Sequence, residues 1–311
     1  MGYLGRLALI VGVAALFAGC TAPSQSSFNV NAPTMTKMSL AMGRPVRRNL
    51  LYVAASSVQV FTYPRGKLVG SLGIFDSYLC SDRFGNVFVT GAEGISYVWI
   101  FPHGSGQPKA TLYNPQSPGG CSVDKSSENL AVSDPDSNLM VIFPHKRRRG
   151  WRLARQYSDP DMRASLYCAY DPEGNLFLDG YSTSDSFVLV ELPKGSSTFT
   201  PITLDQVIHS PGSVQWDGND LAVEDAGASR SSEALIYRFA INGRHGHKVS
   251  ATTLTDSAGD GQFLIHGSTV IGPLSYNYAQ GVGFWGFPSG GAPVSTISTY
   301  SYPSGEALSL R

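Results

Sequence analysis

The strongest constraint on this chain is a unit of four short apolar runs that comes back along most of its length. Between Cys168 and Leu204 the first run ends at the turn Asp171-Pro-Glu-Gly174-Asn175 and the second at a Ser/Asp-rich loop. The third meets Leu192-Pro193-Lys-Gly195 before the fourth begins. Short apolar runs bounded by Gly, Pro, Asn and Asp predict β-strands and tight turns rather than helices. The turn between third and fourth runs returns as Phe61-Thr-Tyr63-Pro64-Arg-Gly66, Phe101-Pro102-His-Gly104, Phe143-Pro144-His-Lys146, Phe239-Ala-Ile-Asn-Gly243 and Phe287-Pro288-Ser-Gly290. Its period of roughly 40 to 50 residues is that of a repeat fold built from four-stranded units.

The turn between first and second runs is nearly as regular. Asp82-Arg-Phe-Gly85-Asn86, Asp124 to Asn129, Asp171 to Asn175, Asp217-Gly218-Asn219 and His266-Gly267-Ser268 fill it in succession; Gly and Asn supply the positive φ of tight hairpins. Pro118-Gly119-Gly120, Pro211-Gly212-Ser213 and Pro303-Ser304-Gly305 each introduce a first strand, at spacings of 93 and 92 residues, close to two units each. The last leaves room only for Glu306 to Leu310, a first strand with nothing after it, while Leu50 to Val53 is a second strand with nothing before it. Pairing the two completes a sixth unit and removes the free edges from the ring. The expectation is an all-β, six-bladed β-propeller over residues 49–311, with four-stranded antiparallel blades and the C-terminal strand closing the N-terminal blade.

These motifs, Pro-x-Gly before an inner strand, Asp-x-x-Gly-Asn-Leu-(Phe/Tyr)-Val and Phe/Tyr-Pro-x-Gly, resemble those of NHL-repeat and related six-bladed propellers of bacterial envelopes. The resemblance spans about residues 49 to 310 and speaks to architecture, since propellers serve as hydrolases, lyases, sensors and scaffolds alike.

The amino terminus carries an address. Arg6 precedes an apolar run from Leu7 to Phe17, too short for a membrane span of roughly 20 residues but suited to a signal peptide. The run closes in Phe17-Ala18-Gly19-Cys20, which resembles the lipobox of bacterial lipoproteins. That resemblance implies removal of residues 1–19, acylation of Cys20 and a lipid anchor held by two or more chains. Thr21 in place of Asp implies, by analogy with enteric bacteria, no retention at the inner membrane. Residues 20–48, rich in Ser, Pro, Thr, Asn and Met, read as a flexible tether.

Composition narrows the partners. Lys plus Arg and Asp plus Glu both number 23, so no global field draws the chain to nucleic acid. A charged partner must be met locally, and a monomer is expected. Lys146, Arg147, Arg148, Arg149, Arg152 and Arg155 cluster around one turn, compatible with anionic headgroups or with a solvated hairpin tip.

Candidate chemistry concentrates where second strands run out. Asp134, Asp179, Glu224 and Asp225 would stand at the mouth of the central channel, either gathering Ca²⁺ through carboxylate oxygens or capping loop amides. Trp216 and Tyr167 are aromatic candidates beside them. Cys80, Cys121 and Cys168 recur on successive first strands, with Cys80 one step out of phase; a thiolate site, a disulfide and simple burial are all compatible, and unpaired burial is the expectation for an odd count. No His-Glu-x-x-His, Gly-x-Ser-x-Gly or phosphate-cradling loop occurs. The reading is a non-catalytic binding or assembly module for a protein, peptide or glycan. The alternative is a lactonase-like hydrolase, since six-bladed gluconolactonase-like proteins hold a metal on a Glu, two Asn and an Asp from different blades. Here Ala54, Thr90 and Gly272 occupy the positions where the asparagines would be sought.

Overall fold

The computed structural model describes residues 47–311 apart from 76–77, 94, 114, 147–149, 153, 229–231, 260 and 276–279. The expected signal segment, Cys20, most of the expected tether and Arg147 to Arg149 lie outside the described residues. Every regular element among those described is a β-strand.

Four sheets have four strands each. Sheet I runs Gly305–Ser309, Leu50–Ala54, Val58–Thr62, Leu68–Leu72; sheet II runs Leu79–Ser81, Val87–Glu93, Ile95–Phe101, Ala110–Leu112. Sheet III comprises Cys121–Val123, Leu130–Asp134, Leu139–Phe143 and Arg155–Tyr157, and sheet IV comprises Met162–Tyr170, Leu176–Ser182, Phe187–Leu192 and Thr200–Pro201. A nine-stranded sheet holds two further four-strand meanders. Half-sheet V is Pro211–Trp216, Leu221–Asp225, Glu233–Asn242 and His245–Thr255; half-sheet VI is Leu264–His266, Thr269–Pro273, Gly281–Gly286 and Gly290–Ser298. One parallel pairing, Leu254 with Gly291, joins their outer strands. The last strand of the chain pairs antiparallel with the first, Leu51 opposite Leu308 and Val53 opposite Glu306.

The second strands carry apolar runs, ending in sheets III and V on buried polar residues, because they are covered on both faces. Leu50–Ala54, Leu130–Asp134 and Leu221–Asp225 are buried at every position. Between successive sheets lie apolar layers: Phe88, Val98 and Val132 between II and III, Leu178 and Met140 between III and IV, Phe177 and Val223 between IV and V. A further layer of Ile271, Phe284, Leu51 and Leu308 joins VI to I.

The Asp-x-x-Gly-Asn turn has a definite job. Asp171 Oδ1 accepts N–H bonds from Gly174 at 2.7 Å and Asn175 at 2.8 Å, and Gly174 takes φ of 90°, a region closed to most side chains. The Asn175 carboxamide reaches on to the neighbouring turn, its Oδ1 accepting the Lys194 N–H at 3.0 Å. These two kinds of turn share one end of the strands, called here the turn end. The connections between second and third strands, and those from one sheet to the next, share the opposite loop end.

The cysteines correct one expectation. Cys80 and Cys121 form a disulfide with a Cα separation of 5.7 Å, and of the described cysteines Cys168 stays free and buried. Alternate residues of a strand face opposite sides. Cys121 faces back into the layer between sheets II and III. Cys80, one step out of phase on sheet II, faces forward into the same layer, so the two sulfurs meet. Cys168 has no such counterpart, and it packs among Leu176, Leu178 and Met162.

Candidate functional site

Asp134 and Asp225 occupy the same place in their sheets, the last residue of a second strand, and both turn back on the segment that enters their own first strand. Asp134 accepts the amides of Gln116 at 2.6 Å, Ser117 at 3.2 Å and Ser137 at 3.3 Å. Asp225 accepts those of His209 at 3.0 Å, Ser210 at 3.3 Å, Gly227 at 3.1 Å and Ala228 at 3.0 Å. Its Oδ2 also lies 2.8 Å from His209 Nδ1. Both carboxylates are fully buried. The Pro-x-Gly segments at the loop end are therefore fixed from beneath by acceptors that satisfy otherwise orphaned amides.

One residue earlier the side chains reach toward the inner strands. Thr90 Oγ1 lies 3.1 Å from Gly119 O, and Ser133 Oγ donates to Leu166 O, each linking one sheet to the next. Asp179 and Glu224 stand at this position in sheets IV and V. Asp179 Oδ1 accepts the Tyr167 N–H at 3.0 Å, and Glu224 Oε2 the Ser213 N–H at 3.4 Å. Asp179 Oδ2 makes no hydrogen bond. Burial drives the Asp179 carboxyl well above the usual carboxylate range, against the pull of the Tyr167 and Gly212 amides.

Glu306 on the C-terminal strand joins this group. It is buried, neither oxygen has a hydrogen-bond partner, and burial followed by the Glu224 charge raises its pKa well above the ordinary value. Tyr167 is shifted upward too, by burial and then by Tyr78, Glu224 and Asp179. Its ring meets Tyr78 edge-on at 5.7 Å. Asp179, Glu224 and Tyr167 thus come together with Glu306 and Tyr78, which sequence reasoning did not single out. The Gln262 carboxamide, donating to Leu79 O at 2.7 Å and accepting the Leu79 N–H at 3.2 Å, ties half-sheet VI to sheet II nearby. Trp216 lies apart, at the turn end of its strand, stacked on Phe177 at 5.9 Å.

Among the described residues no three His, Cys, Asp or Glu side chains converge closely enough to hold a metal ion. The four carboxylates expected as Ca²⁺ ligands do not fit that role: Asp134 and Asp225 hold amides, and Asp179 and Glu224 are buried, burial raising the Asp179 pKa as it does that of their neighbour Glu306. No step through a metal follows from this arrangement.

Large apolar side chains are exposed on the connections that cross the loop end from one sheet to the next. Phe75 is 50% exposed, Tyr113 50%, Val207 69% and Tyr300 67%. The sequence signal for them was an aromatic or branched residue inside an otherwise polar connection, as in Leu112-Tyr113-Asn-Pro115. At the turn end a groove of about 330 Å³ opens between sheets III and IV, bordered by Lys146, Arg155 and Lys194.

Against known proteins, the chain matches no family model and no curated protein. Solved structures do match. The crystal structure of a nidogen/laminin complex is similar over 84% of this chain and 98% of that one, at 14% identity and TM-score 0.63. TolB from Acinetobacter baumannii is similar over 85% of this chain and 67% of that one, at 11% identity and TM-score 0.61. The fold is β-propeller-like. A protein of unknown function from Bacteroides caccae is similar as well, with 84% and 98% coverage, 11% identity and TM-score 0.60. In a propeller the first strands surround the axis; Tyr167 and Glu306 lie on first strands and Tyr78 directly before one, with Asp179 and Glu224 on the second strands beside them.

Proposed function

We propose that this chain is a lipid-anchored envelope protein whose propeller binds a protein partner through its loop end, without catalysing a reaction. In this reading the four sheets and two half-sheets are six NHL-like blades, and the pairing of Gly305–Ser309 with Leu50–Ala54 closes the ring. The observation that carries the binding role is the set Phe75, Tyr113, Val207 and Tyr300, exposed on four different inter-sheet connections. Exposed aromatic and aliphatic side chains on a rigid frame are what protein interfaces use as anchors. The amide caps at Asp134 and Asp225 support the same reading, because loops already held in place lose little freedom on binding. The Cys80–Cys121 disulfide supports an oxidising compartment outside the cytoplasm.

A photo-crosslinking amino acid at Tyr113, at Tyr300 and, as control, at Phe84 on the turn end tests the site in intact cells. A discrete adduct at the two loop-end positions and none at Phe84 is expected; equal adducts at all three, or none at either loop-end position, would overturn it. For the anchor, metabolic labelling with a palmitate analogue should mark the wild type and not Cys20→Ser.

A further inference from the structure

Charge is divided between the two ends of the strands. At the turn end stand Arg65, Lys67, Arg83, Lys109, Lys146 and Lys194. Of the acids there, Asp82, Asp124, Asp171 and Asp217 accept local amides, Glu128 pairs with Arg83 and Asp220 with Arg238, each at 2.7 Å, and Glu173 is exposed. At the loop end stand Asp134, Asp136, Asp159, Asp161, Asp185 and Asp256. Among the described residues the only Lys or Arg at that end is Arg163, which pairs with Asp185 at 2.7 Å. A formal net charge of zero thus covers an axial separation, one end cationic and the other anionic.

The groove between sheets III and IV is the recess in the cationic end. Lys146 and Arg155 enter no ion pair among the described residues, and Lys194 donates to Glu173 O at 2.8 Å. Asp124 in its wall is turned to local donors, accepting the Ser126 N–H at 2.8 Å and the Ser127 hydroxyl. Asn129 and Ser196 add uncharged hydrogen-bonding groups to the lining. Three cations around a recess of this size suit a phosphodiester, which offers one negative charge and several acceptor oxygens.

We propose that the turn end docks on an anionic phospholipid surface, with headgroup phosphate seated between Lys146, Arg155 and Lys194. The choice of a lipid rests on the membrane-tethered reading above and on where the chain enters the fold. Arg47 and Arg48 are exposed at this same end. The Arg48 carbonyl lies 3.1 Å from His103 Nε2, and Asn49 Oδ1 accepts the Arg311 N–H at 3.0 Å. A lipid tether would thus enter the fold at its cationic end, and the charges there, not the flexible tether, would set the orientation. The contact is held by charges within a Debye length of the surface, about 8 Å at physiological ionic strength.

The test is sedimentation of the full chain with vesicles of phosphatidylcholine alone and of phosphatidylcholine mixed with phosphatidylglycerol. Binding of the lipidated chain to the neutral vesicles reports the anchor; the ratio between the two vesicle types, read in a Cys20→Ser background so that acyl chains do not saturate binding, reports the groove, and the two readings fail separately. In that background the chain with its native groove, the wild type of this comparison, should prefer the anionic vesicles at least roughly tenfold at low salt, a preference that fades as salt is raised. Lys146→Gln/Arg155→Gln/Lys194→Gln should lose the preference while keeping its melting temperature. Thr183→Glu/Ser184→Glu/Gln280→Glu, the same charge change placed at exposed loop-end positions, should keep it. Equal binding of the wild type to both vesicles, or a preference surviving in the Gln variant, would overturn the proposal; so would equal loss in both variants, which would mean that net charge alone is read.

Discussion

Cys80 and Cys121 are covalently joined across the first strands of two neighbouring sheets, 41 residues apart in the chain. The bond closes a loop that contains the whole of sheet II after its first strand, so it restrains the unfolded chain as well as the seam between sheets. For a loop of this length the chain-entropy account gives about 3–4 kcal/mol. Cys80→Ala/Cys121→Ala should therefore lose on the order of 2–4 kcal/mol in urea unfolding. A reductant should lower the midpoint of the wild type and leave that of the double variant unchanged.

The free thiol behaves differently. Cys168 is buried, and burial followed by the Asp179 charge raises its pKa far above that of an exposed cysteine. Since the thiolate is the reactive form, iodoacetamide should leave Cys168 unmodified in the native protein at neutral pH. Rapid labelling without denaturant, read by intact mass, would contradict the packing described for sheets III and IV.

The amide caps carry a mutational signature. Asp225 gathers four backbone amides and Asp134 three. Replacing either by Ala strands buried donors, at a cost of about 1–3 kcal/mol for each group left unsatisfied. Because water can reach part of each loop, we expect a total of roughly 2–4 kcal/mol for Asp225→Ala and somewhat less for Asp134→Ala. Equilibrium unfolding of the two variants measures both values, and a change within about 0.5 kcal/mol of zero would mean that the caps are dispensable.

How much of this was legible in the chain depends on how local the signal is. Turn residues such as Gly174 and Asn175 act on their immediate neighbours, so the strands and their period could be read directly. The partnership of Leu51 with Leu308 was readable only because each strand lacked a mate within its own unit. The disulfide was missed because Cys80 was aligned by its distance from Asp82, whereas its pairing depends on which face of the sheet it occupies. Glu306 escaped for a related reason: its surroundings, Glu224 and the buried axis, are assembled from segments far apart in sequence. Phe75, Tyr113, Val207 and Tyr300 follow no repeat position, and only the geometry gathers them at one end.

The buried acids near the axis make stability depend on pH in an unusual direction. Glu306 and Asp179 have folded-state pKa values well above their unfolded ones, chiefly through burial. Between the unfolded value, about 4 for such carboxyls, and the raised folded value, the folded chain holds more protons than the unfolded chain. Stability then falls as pH rises through that window, the reverse of a salt-bridged carboxylate. Glu306→Gln removes one of these titrations, since the amide is neutral throughout. The difference in unfolding free energy between Glu306→Gln and wild type should therefore move in favour of the variant from about pH 5 to about pH 8. Asp179→Asn should show the same trend, and the double variant should have the flattest profile. Urea melts at several pH values across this range measure the slopes; parallel curves for wild type and Glu306→Gln would mean that Glu306 is ionised in the folded protein and that a cation or solvent reaches it.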